Sequence, residues 1–179
     1  KITTYADFIT GKLCVSNNTF IDFTMASRTM AFDLKKRKWS DYILNKLEIN
    51  KEMLSEPVPS GISIGNINKK VAEELELPAS IIIATGGHDQ TCAALGAGII
   101  YEGLGLISTG TAEVLSTGFF SPLLNDTMYN SYYPCYIHAK DDMYFTFSLN
   151  HVGGLLLKWF RDNFCEKEID ITSDGNTNV

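Results

Sequence analysis

The chain has 179 residues, 45% hydrophobic and 20% charged, with 15 basic against 21 acidic side chains and a formal net charge of −6. A chain of this kind buries roughly two-thirds of its unfolded surface without disulfide or metal staples. The charge argues against a general binder of nucleic acid or anionic membrane, which carries a basic stripe, but leaves room for a phosphate pocket built from backbone N–H groups. No apolar run approaches the ~20 residues of a membrane span. The start at Lys1, without Met or an apolar signal core, reads as a cytoplasmic protein and as a piece of a longer one. The cysteines, Cys14, Cys92, Cys135 and Cys165, form no C-x-x-C pair and read as reduced thiols.

Taken in chain order, Tyr5–Gly11 predicts the end of a helix with Gly11 as its C-cap, followed by an irregular polar stretch from Cys14 to Thr24. Thr29–Leu34 is a short strand or turn, and Lys35-Lys36-Arg37-Lys38 a solvated basic turn. Ser40 is placed to cap a helix, with Trp39 stapled against Leu44 and with Ile43 and Leu47 facing inward. Ile67, Val71 and Leu75 recur every four residues in a helix that Pro78 closes. Ile81–Ala84 reads as a central strand buried on both faces. His88–Gly98 is a helix of small residues able to approach a sheet closely. From Leu104 the period changes to two: residues 104–116 predict a β-hairpin turning at Gly110-Thr111, followed by strands at Tyr132–His138 and Tyr144–Leu149. Val152, Leu155, Leu156, Trp159 and Phe160 form a helical core stripe, and Glu166–Val179 a polar, fraying end. The change of period near residues 99–104 is the best candidate boundary.

The sharpest chemical feature is the succession strand, Gly86-Gly87-His88-Asp89-Gln90, helix. Glycines allow a sharp turn, and the helix dipole favours an ionised carboxylate at Asp89. Such a carboxylate, at the end of a buried strand, can take a proton from a substrate hydroxyl; it can equally be a plain helix cap. His88 with Asp89 suggests metal only if a third ligand lies nearby. The second feature is Ser108-Thr109-Gly110-Thr111, whose backbone N–H groups and hydroxyls can cradle an anion or simply turn a hairpin. There is no P-loop and no G-x-G-x-x-G after a strand. His138 and His151 each stand alone and read as structural.

Several separated motifs resemble the FGGY carbohydrate kinases. They are Ala26-Ser27-Arg28-Thr29-Met30-Ala31-Phe32-Asp33 with Trp39-Ser40-Asp41, and Glu52-Met53-Leu54 with Pro57, Ser60-Gly61 and Ile64-Gly65. Ala84-Thr85-Gly86-Gly87-His88-Asp89-Gln90, Ala93–Gly98 and Ser108-Thr109-Gly110-Thr111-Ala112-Glu113 follow in the family's order and spacing. The resemblance implies an α/β actin-like ATPase (ribonuclease H-like) fold. Residues 1–100 would end the first, sugar-binding domain and 101–179 would begin the second, ATP-binding domain. It implies Asp89 as general base, Gln90 on a substrate hydroxyl, Gly110 and Thr111 on ATP phosphates, and ATP with Mg²⁺ as co-substrate. The acceptor would be a sugar or polyol, xylulose-like first, and the full-length protein a homodimer. The family's N-terminal phosphate hairpin and C-terminal adenosine motif are absent from the chain, so by itself it is expected to be inactive. The same scaffold could instead serve as a non-catalytic ligand-binding or interaction module.

Overall fold

A computed structural model describes residues 1–16 and 18–166. Helix α1 (Tyr5–Leu13) runs past Gly11 and ends at Cys14, not at the glycine. Cys14 is 4% exposed and bridges to Ile67, so burial of the segment beyond Gly11 holds the last turn helical. The stretch expected to be irregular holds β1 (Phe20–Asp22) and the one-turn helix α2 (Phe23–Ala26), which continues into a 3-10 turn at Ser27–Thr29. The basic run is the expected turn, between β2 (Phe32–Asp33) and β3 (Lys38–Trp39). Asp33 Oδ1 accepts from the Lys35 and Lys36 N–H groups there.

Ser40 caps α3 (Asp41–Lys46), and Trp39 and Leu44 share one core cluster, as a hydrophobic staple requires. Leu47 does not face inward. The helix ends in a left-handed Glu48 (φ 54°), which turns Leu47 out and lets Ile49 pack on the core in its place.

β4 (Glu56–Val58) pairs in parallel with β1. β5 (Ser63–Asn66), α4 (Lys69–Glu74) and β6 (Ile82–Ala84) follow, with β5 and β6 antiparallel. The expected two-sided burial of the isoleucine run is not found. β6 pairs only with β5 among the described residues; Ile83 packs with Cys14, Ile67 and Ala72, while Ile82 is 63% exposed. A β-branched run reports extended backbone but not the number of neighbours it will have.

α5 (Asp89–Gly96) leads into the sheet of β7 (Gly105–Thr109), β8 (Glu113–Phe119), β9 (Tyr136–Ile137) and β10 (Tyr144–Asn150), in the order β7-β8-β10-β9 and antiparallel throughout. A short helix, α6 (Asp126–Asn130), precedes β9. It ends through a left-handed Tyr132, and Pro134 follows, so the strand expected from Tyr132 shrinks to two residues. α7 (Gly154–Phe164) has the predicted period, but its stripe is uncovered: Leu155, Leu156, Trp159 and Phe160 are all about half exposed or more. The polar end predicted after Glu166 lies outside the described residues. No helix among them is long and apolar enough to cross a membrane.

The largest core cluster joins Ile21, Ala26, Phe32, Trp39 and Leu44 to Phe119, Ile137 and Tyr144. A second contact runs from Ala94 and Ile99 to Phe145, which is fully buried. The small side chain of Ala94 is what brings α5 against the sheet.

Candidate functional site

The glycine pair leads into α5 with His88 at the N-cap and Asp89 as the first helical residue. Neither glycine takes a positive φ, so the pair is not there for unusual backbone. Gly87 is there for room: a Cβ on it would lie 2.9 Å from Cys92 Sγ, 3.3 Å from Thr24 Oγ1 and 3.4 Å from Ser60 Oγ.

Those hydroxyls belong to a buried polar network. Asp22 is 5% exposed, and its Oδ1 accepts from the Thr24 N–H (2.9 Å), the Met25 N–H (3.2 Å), the Ser60 hydroxyl (3.4 Å) and, closest of all, the Thr24 hydroxyl. Thr24 Oγ1 in turn accepts from the His88 N–H at 2.6 Å. The buried carboxylate thus fixes the loop that presents Asp89. A second buried acid, Asp7, accepts from Thr4 and Ser55 and lines the same small cleft as Asp22, Thr85 and Gly86.

Asp89 itself faces solvent, with 81% of its side chain exposed. The Gln90 N–H donates to its Oδ1 at 2.7 Å, and His88 Nε2 approaches the same atom at 3.1 Å. Both contacts fall on Oδ1; Oδ2 carries neither. His88 holds the cap position without a side-chain cap bond, and Asp89 takes a first-turn N–H on Oδ1 alone. Burial, helped by the Arg28 charge, holds the His88 imidazole below its ordinary pKa of 6.5, with Asp89 and Asp22 pulling the other way. Gln90 Oε1 is buried and has no hydrogen-bond partner among the described residues. A third metal-ligating group beside His88 and Asp89 is not found among the described residues.

Gly110 and Thr111 form the expected turn between β7 and β8. The Gly110 N–H donates to the Ala112 carbonyl at 2.8 Å, so an anion at this turn would meet the Thr111 hydroxyl rather than that amide. At the base of the turn the Thr109 hydroxyl donates to Glu113. The tip is locked from behind: Gly154 N–H donates to the Gly110 carbonyl at 2.7 Å and Gly153 N–H to the Thr111 carbonyl at 3.0 Å. A Cβ on Gly153 would lie within 2.8 Å of backbone atoms of Ala112 and Gly110. No hydrogen bond or ion pair among the described residues joins this turn to Asp89 and Gln90.

Three features escape a sequence reading. Asp22-Phe23-Thr24 caps a helix of four residues, too short to show a period. Gly153-Gly154 before an apolar stripe looks like a linker, although two glycines abutting a hairpin turn are the signature of close backbone packing. The third, the stacking of Arg28 on aromatic rings of β9 and β10, joins residues more than 100 positions apart.

Comparison with known proteins places these observations in context. A family profile described as the FGGY family of carbohydrate kinases, N-terminal domain, matches residues 1–96. A xylulose kinase of Lactococcus lactis is 29% identical over 164 residues, covering 92% of this chain and 32% of its own. An autoinducer-2 kinase of Yersinia pestis is 27% identical over 167 residues, covering 93% and 31%. The crystal structure of a ligand-bound xylulose kinase from Lactobacillus acidophilus superposes with a TM-score of 0.77 at 23% identity, covering 88% of this chain and 31% of that one. The chain spans about a third of the length of each.

Proposed function

The chain belongs to the FGGY family of carbohydrate kinases and has their actin-like ATPase fold, and from that premise we propose that the full-length protein transfers the γ-phosphoryl group of ATP to a hydroxyl of a sugar or polyol. The names of the similar proteins favour a xylulose-like ketose. Residues 1–100 form the end of the sugar-binding domain and 101–179 the start of the ATP-binding one, a division supported by the family profile ending at residue 96.

The observation that carries the reading is the pair at the start of α5. Asp89 offers an exposed carboxylate whose Oδ2 takes part in neither of its contacts, and Gln90 follows it in the first turn of the helix. Asp89 Oδ2 accepts the proton of the attacking hydroxyl. The hydroxyl oxygen bonds to the γ-phosphorus, and the bond from that phosphorus to the β,γ-bridging oxygen breaks, its electron pair leaving with ADP. The Gln90 side-chain amide hydrogen-bonds a neighbouring substrate hydroxyl and orients the sugar. His88, held below its ordinary pKa, stays neutral near pH 7, so it does not neutralise the base beside it. Thr111 and the Gly110 turn contact the nucleotide phosphates. A nucleotide-bound Mg²⁺ would neutralise charge on those phosphates.

Steady-state kinetics of the full-length protein tests the assignment. Asp89→Asn should lower kcat by roughly 10²–10⁴-fold with little change in ATP binding. Gln90→Ala should raise the sugar KM while kcat falls little. Full activity of Asp89→Asn at saturating sugar and ATP would refute the base.

A further inference from the structure

Arg28 is engaged by aromatic faces of the four-stranded sheet. Its guanidinium carbon lies 4.9 Å from the centre of the Tyr136 ring and 5.7 Å from that of Phe147. The two rings are themselves tilted against each other with centroids 5.8 Å apart. Arg28 forms no ion pair among the described residues. Nor is it needed to dock its segment on the sheet, because its neighbour does that: Ser27 Oγ accepts from the Ile137 N–H at 3.2 Å and donates to the Thr24 carbonyl at 2.9 Å.

Two observations tie the guanidinium to the Asp89 loop. Arg28 lies in the 3-10 turn that continues α2, about one turn beyond Thr24, and Thr24 Oγ1 is 2.6 Å from the His88 nitrogen. The Arg28 charge is also felt at the His88 imidazole, whose Nε2 lies 3.1 Å from Asp89. Cation and base are therefore neighbours across His88 without being paired to each other. A direct pair would cancel both charges; this arrangement keeps both.

We propose that Arg28 binds the phosphoryl group in transfer: its guanidinium, held on Tyr136 and Phe147, bonds the phosphoryl oxygens as the group passes from ATP to the hydroxyl held at Asp89. The proposal rests on the reading of Asp89 as the base. A guanidinium is always charged and presents a rigid fork that matches two phosphoryl oxygens. Stacking fixes its direction without using its N–H donors, so the donors stay aimed at developing charge and need no reorganisation during transfer. Arg28 exchanges no proton: the hydroxyl proton goes to Asp89 and the electron pair of the broken P–O bond to ADP. The rings come from β9 and β10 and the base from α5, so the alignment depends on the sheet being docked on the first half of the chain.

The test uses the full-length protein with Asp89→Asn as reference. Arg28→Met keeps a stem that can lie on the rings and removes the charge. Its kcat on a neutral ketose or polyol should fall roughly 10²–10³-fold, the usual loss for one preorganised donor at developing charge. The sugar KM should change by no more than about threefold, and added guanidinium ion should restore part of kcat. Arg28→Lys, with charge but no fork, should fall between. Full kcat in Arg28→Met beside an inactive Asp89→Asn overturns the Arg28 proposal and leaves the base reading standing; full kcat in both overturns both. A rise in KM confined to acidic sugars, with kcat on neutral ones unchanged, makes Arg28 a reader of substrate carboxylates and also overturns the proposal. If Arg28→Met loses its thermal unfolding transition, the Lys variant decides: wild-type kcat with wild-type KM is against the proposal, and lowered kcat at unchanged KM is for it.

Discussion

Replacing Thr24 by valine removes one hydroxyl and almost no volume, which makes it a sharp probe of the network beneath the Asp89 loop. Thr24 is 1% exposed. Its hydroxyl donates to the buried Asp22 carboxylate and accepts from the His88 N–H. Losing a hydrogen bond to a charged group costs about 1.5–3 kcal/mol, and leaving a part-buried N–H unpaired about 1–3 kcal/mol. Both losses come from a single hydroxyl and do not simply add, so about 3 kcal/mol is the expected total. In urea unfolding, at a slope of about 2–3 kcal/mol/M, the midpoint should fall by roughly 1 M with the slope unchanged. Thr24→Ser, which keeps the hydroxyl, should recover most of the loss. The valine variant should also lower kcat, because the loop presenting Asp89 is freed. An unfolding free energy within about 0.5 kcal/mol of wild type, as for an ordinary surface change, would show that the Asp22–Thr24–His88 chain does not hold the loop.

Two further outcomes follow from geometry elsewhere. Gly153→Ala forces a Cβ to within 2.8 Å of backbone atoms of Ala112 and Gly110; it should destabilise by about 1–3 kcal/mol and raise the KM for ATP more than that for sugar, measured by denaturation and by kinetics. His138 is 2% exposed and burial lowers its pKa to about 4, while its Nδ1 accepts from the Lys140 N–H. The unfolded chain, with an ordinary His pKa near 6.5, therefore binds more protons between pH 6.5 and 4. Stability should decline by up to roughly 3 kcal/mol as pH falls through that window and level off below it. His138→Asn, with an amide oxygen in place of Nδ1, should flatten that part of the pH–stability curve.

What could be read in advance followed physical range. The hairpin of β7 and β8 announces itself through a period of two around Gly110-Thr111, and the start of α5 through glycines followed by Asp89, because both are decided by neighbouring residues. Ile81–Ala84 shows where that range ends: its β-branched side chains specify a strand, but exposure of Ile82 depends on which strands come alongside. The stripe of α7 is legible as a helix and not as a buried one for the same reason. At the site, Gln90 takes its role from the family resemblance, and Asp89 is marked by local sequence. Asp22, Thr24 and Arg28 are not, since each gains its role from a partner far along the chain: His88 for Thr24, Ser60 for Asp22, Tyr136 and Phe147 for Arg28.

The shared core also dictates the order of events at the ribosome. Phe32, Trp39 and Leu44 are buried together with Phe119, Ile137 and Tyr144, and the last of these is synthesised ~100 residues after Leu44. At ~5–20 residues per second the early aromatics emerge about 5–20 s before the sheet that covers them exists. Closing contacts so distant in sequence is also intrinsically slow. Throughout that interval the nascent chain displays an adhesive apolar surface, so it should depend on holdase chaperones during translation far more than the stability of the finished fold would suggest.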